Sequence, residues 1–173
     1  MSIMQHQAGR NINSEIMQRL LLFVLFIVAL NAVCAQQKIP PFRMALSDGK
    51  LFSASNLPMG KPVIVIYFSP ECDHCQVLMK EWFKRSNDFK KASVVMITFL
   101  PVTSVALFEK EYKTKQHPNI FTGTEGTGFF VRNYYKVLDM PFVALHDKNG
   151  NLVSTYSKDI PLNTLAAKLR QLN

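Results

Sequence analysis

Residues 62–75 read PVIVIYFSPECDHC, and this stretch decides the fold. Its first half is a continuous run of apolar, mostly β-branched residues, which is typical of a central strand buried on both faces. Ser69 and Pro70 end the run, and from Asp73 onward apolar residues recur at helical spacing as far as Phe83. The stretch therefore predicts a buried strand, a short turn and a helix that begins at a Cys-x-x-Cys motif.

The segments on either side predict further strands and helices. Residues 42–52 alternate around Asp48-Gly49, which is typical of a β-hairpin. Downstream we expect a strand at 93–100, a helix at 104–115, a loop at 117–127, a short helix at 129–137, a hairpin of strands at 142–145 and 152–156, and a terminal helix at 162–172. Strands that alternate with helices predict parallel pairing. The expected fold class is α/β, with a central mixed β-sheet flanked by helices and an N-terminal β-hairpin extension.

The chain is predicted to hold one folded domain behind a signal peptide. Its 173 residues, 48% of them hydrophobic, suffice for one well-cored domain. Residues 20–30 are all apolar, Arg19 precedes them, and Val33-Cys34-Ala35 resembles a signal-peptidase site. The apolar run is shorter than the roughly 20 residues of a membrane span. We therefore expect a signal peptide at 1–35 and a mature domain at 36–173.

Export leaves two further arrangements open at the N-terminus. An uncleaved signal would anchor the protein in the membrane, and Cys34 could instead carry a lipid. The preceding Asn31-Ala32-Val33 fits a lipoprotein signal poorly. The net charge of +8 is spread along the chain without a nucleic-acid motif, so we expect no nucleic-acid partner.

Cys72 and Cys75 are the predicted catalytic residues. A helix N-terminus favours negative charge, so Cys72 is the expected nucleophilic thiolate, and Cys75 one turn later is the expected resolving thiol. A structural disulfide is less favoured because so small a loop restrains the unfolded chain weakly. Zinc would need a second ligand pair, and c-type haem would need histidine where Gln76 stands. We therefore expect no cofactor and no metal.

The motifs together resemble a known family. They are the run 62–75, Met140-Pro141 before a strand, Asp-Lys-Asn-Gly at 147–150, and the N-terminal segments 39–42 and 47–50. In this combination the chain is similar to thioredoxin-like proteins, and most of all to the exported TlpA/ResA-like branch of thiol-disulfide oxidoreductases. The likeness covers about residues 39–172.

This resemblance implies a fold, a chemistry and a set of partners. The fold would be a thioredoxin-like three-layer fold, and the activity would be thiol-disulfide exchange, most simply as a reductant. Met140-Pro141 would form a cis peptide bond against the active site, with Met140 and Pro141 binding an extended substrate segment. Partners would be protein thiol or disulfide substrates and a membrane or periplasmic redox partner. The protein would be a monomer in a bacterial periplasm.

The chain also departs from the family at residues that handle protons and tune the potential. Ile66 stands where thioredoxins carry a buried acid, and Glu71 where they carry tryptophan. Glu81 or a water molecule would then have to take over proton transfer. Between the cysteines, His74 would stabilise the Cys72 thiolate and make the pair more oxidising, while Asp73 would act in the opposite direction.

Two other functions remain open. A peroxiredoxin-like peroxidase is suggested by Ser69, three residues before Cys72 as in that family, although the family's proline would fall at Val65. A non-enzymatic copper-binding module on the same fold would use Cys72, Cys75 and a distant histidine such as His146. Known modules of that kind resemble a Cys-x-x-x-Cys spacing instead.

Overall fold

The computed structural model describes residues 16–23 and 37–172. The chain divides into two units, residues 1–35 and 36–173. In the first unit, residues 16–23 are helical with exposed side chains. Among the described residues, no helix has the length and apolar character needed to cross a membrane. Cys34 and most of the predicted signal peptide lie outside the described residues, so cleavage, anchoring and lipidation stay predictions.

The second unit contains seven strands and four α-helices within residues 37–172. The strands are β1 (Arg43–Ala45), β2 (Leu51–Ser53), β3 (Val63–Tyr67), β4 (Ser93–Thr98), β5 (Ile120–Thr124), β6 (Phe142–His146) and β7 (Leu152–Ser157). The helices are α1 (Asp73–Lys84), α2 (Val102–Tyr112), α3 (Phe130–Tyr135) and α4 (Leu162–Gln171). Short 3-10 turns connect several of them.

The strands form one mixed sheet in the order β2-β1-β5-β4-β3-β6-β7. Strands β3, β4 and β5 are parallel to one another, and β6 and β7 continue the sheet antiparallel. The β1-β2 hairpin adds the other edge, through an antiparallel pairing of Ala45 with Thr124. The predicted mixed sheet and N-terminal hairpin are thus confirmed.

Two hydrophobic cores cover the two faces of the sheet. Because side chains alternate along a strand, Ile64 and Ile66 of β3 face one core while Val65 and Tyr67 face the other. Helices α1, α2 and α4 cover the first core, and α3 together with residues 39–57 covers the second. All five residues of β3 are buried, as its apolar sequence predicted. The architecture therefore has three layers, helix on sheet on helix.

The predicted loop at 117–127 is wrong, because its centre forms β5. The segment looked like a loop because it is rich in threonine and glycine, but Thr122, Gly123 and Thr124 are buried against β4 and β1. A β-carbon on Gly123 would lie 2.8 Å from the Ala45 carbonyl oxygen and from the Met44 side chain. Glycine is thus what lets the hairpin approach β5 closely.

The second helix begins and ends earlier than predicted. It spans Val102–Tyr112, and Lys113 ends it in a left-handed conformation with φ 51°. Residues 114–116 then form a 3-10 turn.

Candidate active site

Cys72 lies at the junction between the loop after β3 and helix α1. It is the N-cap residue, with φ −89° and ψ 122°, and its carbonyl accepts the first helical hydrogen bond from the Gln76 N–H at 2.9 Å. Its own N–H donates to the Ser69 carbonyl at 3.1 Å. The Gln76 side-chain amide also donates to the Pro70 carbonyl at 2.9 Å, which ties the loop to the helix. Cys72 is therefore held at the first turn of the helix.

The two cysteines differ sharply in environment. Both are free thiols, and Cys72 is half-buried whereas Cys75 is fully buried. Burial, and after it the hydrogen bond with the Cys72 thiol, raises the pKa of Cys75 to about 12. At Cys72 the unpaired N–H groups of a 12-residue helix favour a negative charge. This asymmetry fits an attacking thiol at Cys72 and a resolving thiol at Cys75.

The Met140–Pro141 peptide bond is cis, as the resemblance implied. It lies against the cysteines, with 3.8 Å between the Cys72 Sγ atom and the Met140 carbonyl oxygen. The Pro141 carbonyl accepts a hydrogen bond from the Lys158 N–H at 2.9 Å. The structure thus brings Met140 and Pro141 together with Cys72, although 65 residues or more separate them in the chain.

A comparison with protein families matches residues 35–168 to the AhpC/TSA family. The chain belongs to the AhpC/TSA family. No curated protein sequence matches it.

Solved structures share the fold of this AhpC/TSA protein. A thiol-disulfide oxidoreductase from Bacteroides fragilis is 16% identical, with a TM-score of 0.65, and the match covers 79% of this chain and 100% of that one. A secreted disulfide oxidoreductase of Mycobacterium tuberculosis is 16% identical, with a TM-score of 0.63 and coverages of 76% and 96%. The exposed lipoprotein thioredoxin of Streptococcus pneumoniae is 21% identical, with a TM-score of 0.58 and coverages of 76% and 98%. The predicted thioredoxin-like fold is confirmed.

The two residues between the cysteines of this AhpC/TSA protein are exposed. Asp73 occupies the first turn of α1, and His74 lines an open cleft with Val77 of α1 and Lys158 of the loop after β7. Within the described residues, neither Asp73 nor His74 has a side-chain hydrogen bond to a cysteine. The effect of Asp73 and His74 on the reduction potential of the cysteine pair stays a prediction. It would be electrostatic, without a direct hydrogen bond.

The acid that thioredoxins bury beside the second cysteine is replaced by an apolar side chain. Ile66 is fully buried in the core that contains Cys75. Glu81 is exposed on α1, and its carboxylate pairs with Lys84 at 2.7 Å. The structure therefore does not bring Glu81 to Cys75 as a substitute acid.

His146 lies far from the cysteines. It pairs with Val63 at the start of β3, whereas Cys72 follows the other end of that strand. The length of β3, four residue steps or roughly 13 Å, therefore lies between His146 and the loop that leads to Cys72. Its Nδ1 atom is 3.1 Å from the Gly150 carbonyl oxygen, and its Nε2 atom is 2.7 Å from the Tyr135 hydroxyl. Among residues 16–23 and 37–172, no three His, Cys, Asp or Glu side chains are arranged to hold a metal ion. The copper-module hypothesis through His146 thus loses its third ligand.

Lys158 also lies beside the active site, and the sequence did not indicate it. It adopts a left-handed conformation, φ 64°, that lets its N–H reach the Pro141 carbonyl. Lysine carries no sequence signal for this conformation, which glycine and asparagine adopt far more often. Only the folded chain could place it beside the cis proline.

Proposed function

We propose that this protein is an exported thiol-disulfide oxidoreductase that exchanges electrons between the Cys72/Cys75 pair and cysteines of other proteins. The observation that carries the proposal is the contrast between the two thiols: a half-buried Cys72 at a helix N-terminus and a fully buried Cys75 one turn later. The cis peptide carbonyl of Met140 beside Cys72 adds a backbone acceptor at the point where a substrate segment would approach.

In the proposed reaction the dithiol reduces a partner disulfide in two steps. The Cys72 thiolate attacks one partner sulfur, so a mixed disulfide forms and the other partner sulfur leaves as a thiolate. Cys75 then loses its proton and attacks Cys72, which forms the Cys72–Cys75 disulfide and releases the second partner thiol. Two electrons and two protons pass to the partner. A membrane or periplasmic dithiol would then reduce the Cys72–Cys75 disulfide and so restore the two thiols.

The reductive direction is supported by the charges next to Cys72. The exposed carboxylates of Glu71 and Asp73 are its sequence neighbours. Negative charge disfavours a thiolate and hence the reduced form, which makes a pair more reducing. A protonated His74 side chain would oppose this effect. We therefore propose a reductant.

Export is supported by the apolar run at 20–30 and by the comparisons. The structural neighbours include a secreted and an exposed bacterial protein. A bacterial periplasm is the compartment that fits these features together. A reductant there would counter the oxidising conditions that drive disulfide formation.

A thiol peroxidase is the second candidate, because the AhpC/TSA match and Ser69 both favour it. The Ser69 Oγ atom accepts a hydrogen bond from the Glu71 N–H at 3.3 Å, and Val65 occupies the position where the peroxidase proline is expected. The Ser69 hydroxyl thus forms a hydrogen bond within the loop rather than with the Cys72 sulfur. Consumption of hydrogen peroxide by the reduced protein, at a rate above that of free thiols, would favour the peroxidase over the oxidoreductase.

The test of the main proposal is a redox titration of the purified protein. Samples equilibrated in glutathione or dithiothreitol buffers are alkylated, and the oxidised fraction gives the reduction potential. We expect a reversible two-electron couple near or below about −250 mV; a value near −120 to −180 mV would indicate an oxidase or isomerase instead. Absence of a reversible couple would refute the proposal. The Cys75→Ser variant is expected to accumulate a mixed disulfide with partner proteins, and Cys72→Ser none.

A further inference from the structure

Resolution requires a proton acceptor that the chain does not carry at the usual position. Cys75 must lose its proton before it can attack the mixed disulfide, and burial holds its pKa near 12. At neutral pH a thiol of that pKa is ionised only about once in 10⁵ molecules. Ile66 supplies no base, and Glu81 is exposed and paired with Lys84. Another group must therefore reach Cys75.

A small cavity beside Cys75 leads to helix α2. Its volume is about 20 Å³, which is enough for one water molecule. One side of it is apolar, and the polar lining comes from Ser69, Gln76, Glu111 and Tyr112. Ser69 and Gln76 already bond to the loop before Cys72. Neither of these side chains is a base, whereas Glu111 and Tyr112 are the polar groups that helix α2 presents to a water molecule next to Cys75.

Glu111 is the base in this lining. Within residues 37–172 its carboxylate has no ion-pair partner, in contrast to Glu109, which pairs with Lys115 at 3.2 Å. Partial burial and then the negative charge of Glu111 raise the pKa of the Tyr112 hydroxyl. Tyr112 therefore stays protonated and can donate a hydrogen bond but cannot accept the thiol proton. Among residues 37–172, Glu111 and Tyr112 are the titratable groups that line this cavity with Cys75, and the Cys72 thiol is the other titratable neighbour of Cys75.

We propose that Glu111 accepts the Cys75 proton through one bridging water molecule during resolution of the mixed disulfide. The inference rests on the proposed thiol-disulfide exchange. The Cys75 thiol gives its proton to the water, and the water gives a proton to the Glu111 carboxylate. The Cys75 sulfur forms a bond to Cys72 while the bond between Cys72 and the partner sulfur breaks. The partner sulfur leaves with the electron pair and is protonated by solvent.

This assignment differs from that of a buried acid on the central strand. The acid comes from α2, on the solvent side of the active site, and Glu111 is an exposed residue. An exposed carboxylate exchanges protons with bulk water quickly, so it can return to the charged form after each turnover. Glu81 lies beside His74 on the other side of α1 and does not line the cavity. Glu81→Gln is therefore a matched control for Glu111→Gln.

The test separates attack from resolution in time. The reduced protein is mixed by stopped flow with less than one equivalent of 5,5′-dithiobis(2-nitrobenzoate), and release of thionitrobenzoate is followed by absorbance. The first equivalent reports attack by Cys72, and the second reports resolution by Cys75. We expect Glu111→Gln to slow the second phase by about tenfold at pH 7 and to leave the first phase unchanged. Glu81→Gln should change neither phase.

The pH profile distinguishes proton transfer from a structural effect. Without the carboxylate, the second phase of Glu111→Gln should rise by about tenfold per pH unit between pH 6.5 and 8.5, because only solvent bases then remove the proton. The wild-type rate should depend on pH less steeply. An unchanged second phase in Glu111→Gln, or equal slowing in Glu81→Gln, would overturn the inference while thiol-disulfide exchange stands. A wild-type protein that releases only one equivalent would overturn both.

Discussion

Cys72 and Cys75 should differ in alkylation rate by a factor that follows from their burial. Burial shifts the pKa of Cys75 from its ordinary value of 9.0 to about 12, which lowers its thiolate fraction at pH 7 about a thousandfold. Alkylating reagents react with the thiolate. Cys72 is half-buried at a helix N-terminus, where alkylating reagents can reach it. Iodoacetamide at pH 7 should therefore label Cys75 about a thousand times more slowly than an ordinary exposed thiol, and more slowly than Cys72.

The measurement uses mass spectrometry on the reduced protein. Both cysteines lie in one tryptic peptide, residues 51–80, because trypsin does not cleave between Lys61 and Pro62, so fragmentation of that peptide locates the label. The Cys72→Ser variant isolates Cys75, because burial, the largest cause of its shift, remains. In native buffer this variant should stay almost unlabelled, and in 8 M urea it should react at the rate of an ordinary thiol. Labelling of native Cys72→Ser within about tenfold of the urea rate would refute the asymmetry on which the mechanism depends.

Two further predictions concern stability. Burial lowers the pKa of His146 to about 4, below its ordinary 6.5, so between these values the unfolded chain binds a proton that the native state does not. The free energy of unfolding should therefore fall by about 3 kcal/mol as the pH drops from 7 to 4, and urea titrations at several pH values should show it. The pKa of the Asp147 carboxyl is lowered from its ordinary 3.8, so the stability that this carboxylate contributes is lost at a lower pH than the contribution of His146. An NMR titration in which the His146 ring protonates near pH 6.5 would contradict this result. The Gly123→Ala substitution should cost about 1–3 kcal/mol, because its β-carbon would collide with the neighbouring strand, whereas Gly128→Ala meets no atom within 4 Å and should cost little. Equal thermal midpoints for the two variants would count against that packing argument.

Strands and helices with strong local patterns were predictable from the sequence. The run of β-branched residues in β3 and the helical spacing of α1 need only the period of apolar residues. The turns at Gly49 and Gly150 have positive φ, as glycine after Asp or Asn suggests. Strand β5 was missed because its polar, glycine-containing sequence has no strand signal of its own. Its strand character comes from the edges of β4 and β1, which it joins.

The roles of the two cysteines were also predictable, since a Cys-x-x-Cys motif between a strand and a helix places the first thiol at the helix N-terminus. The proton acceptor was not. Glu81, the acid that the sequence suggested, lies on α1 as expected but is exposed and paired with Lys84. Glu111 lies 36 residues beyond Cys75 in the chain, and nothing in its local sequence indicates a cavity.

The sequence by itself thus determined the elements whose information is local: the apolar period of each strand and helix, the two turns, and the strand-to-helix junction at Cys72. The tertiary structure alone decided what depends on distant segments. It brings the cis Met140–Pro141 carbonyl to within 3.8 Å of the Cys72 sulfur and opens a space for one water molecule between Cys75 and Glu111. The physical reason is that periodicity is a property of neighbouring residues, whereas burial, cavities and through-space contacts arise only when the sheet brings separate segments together.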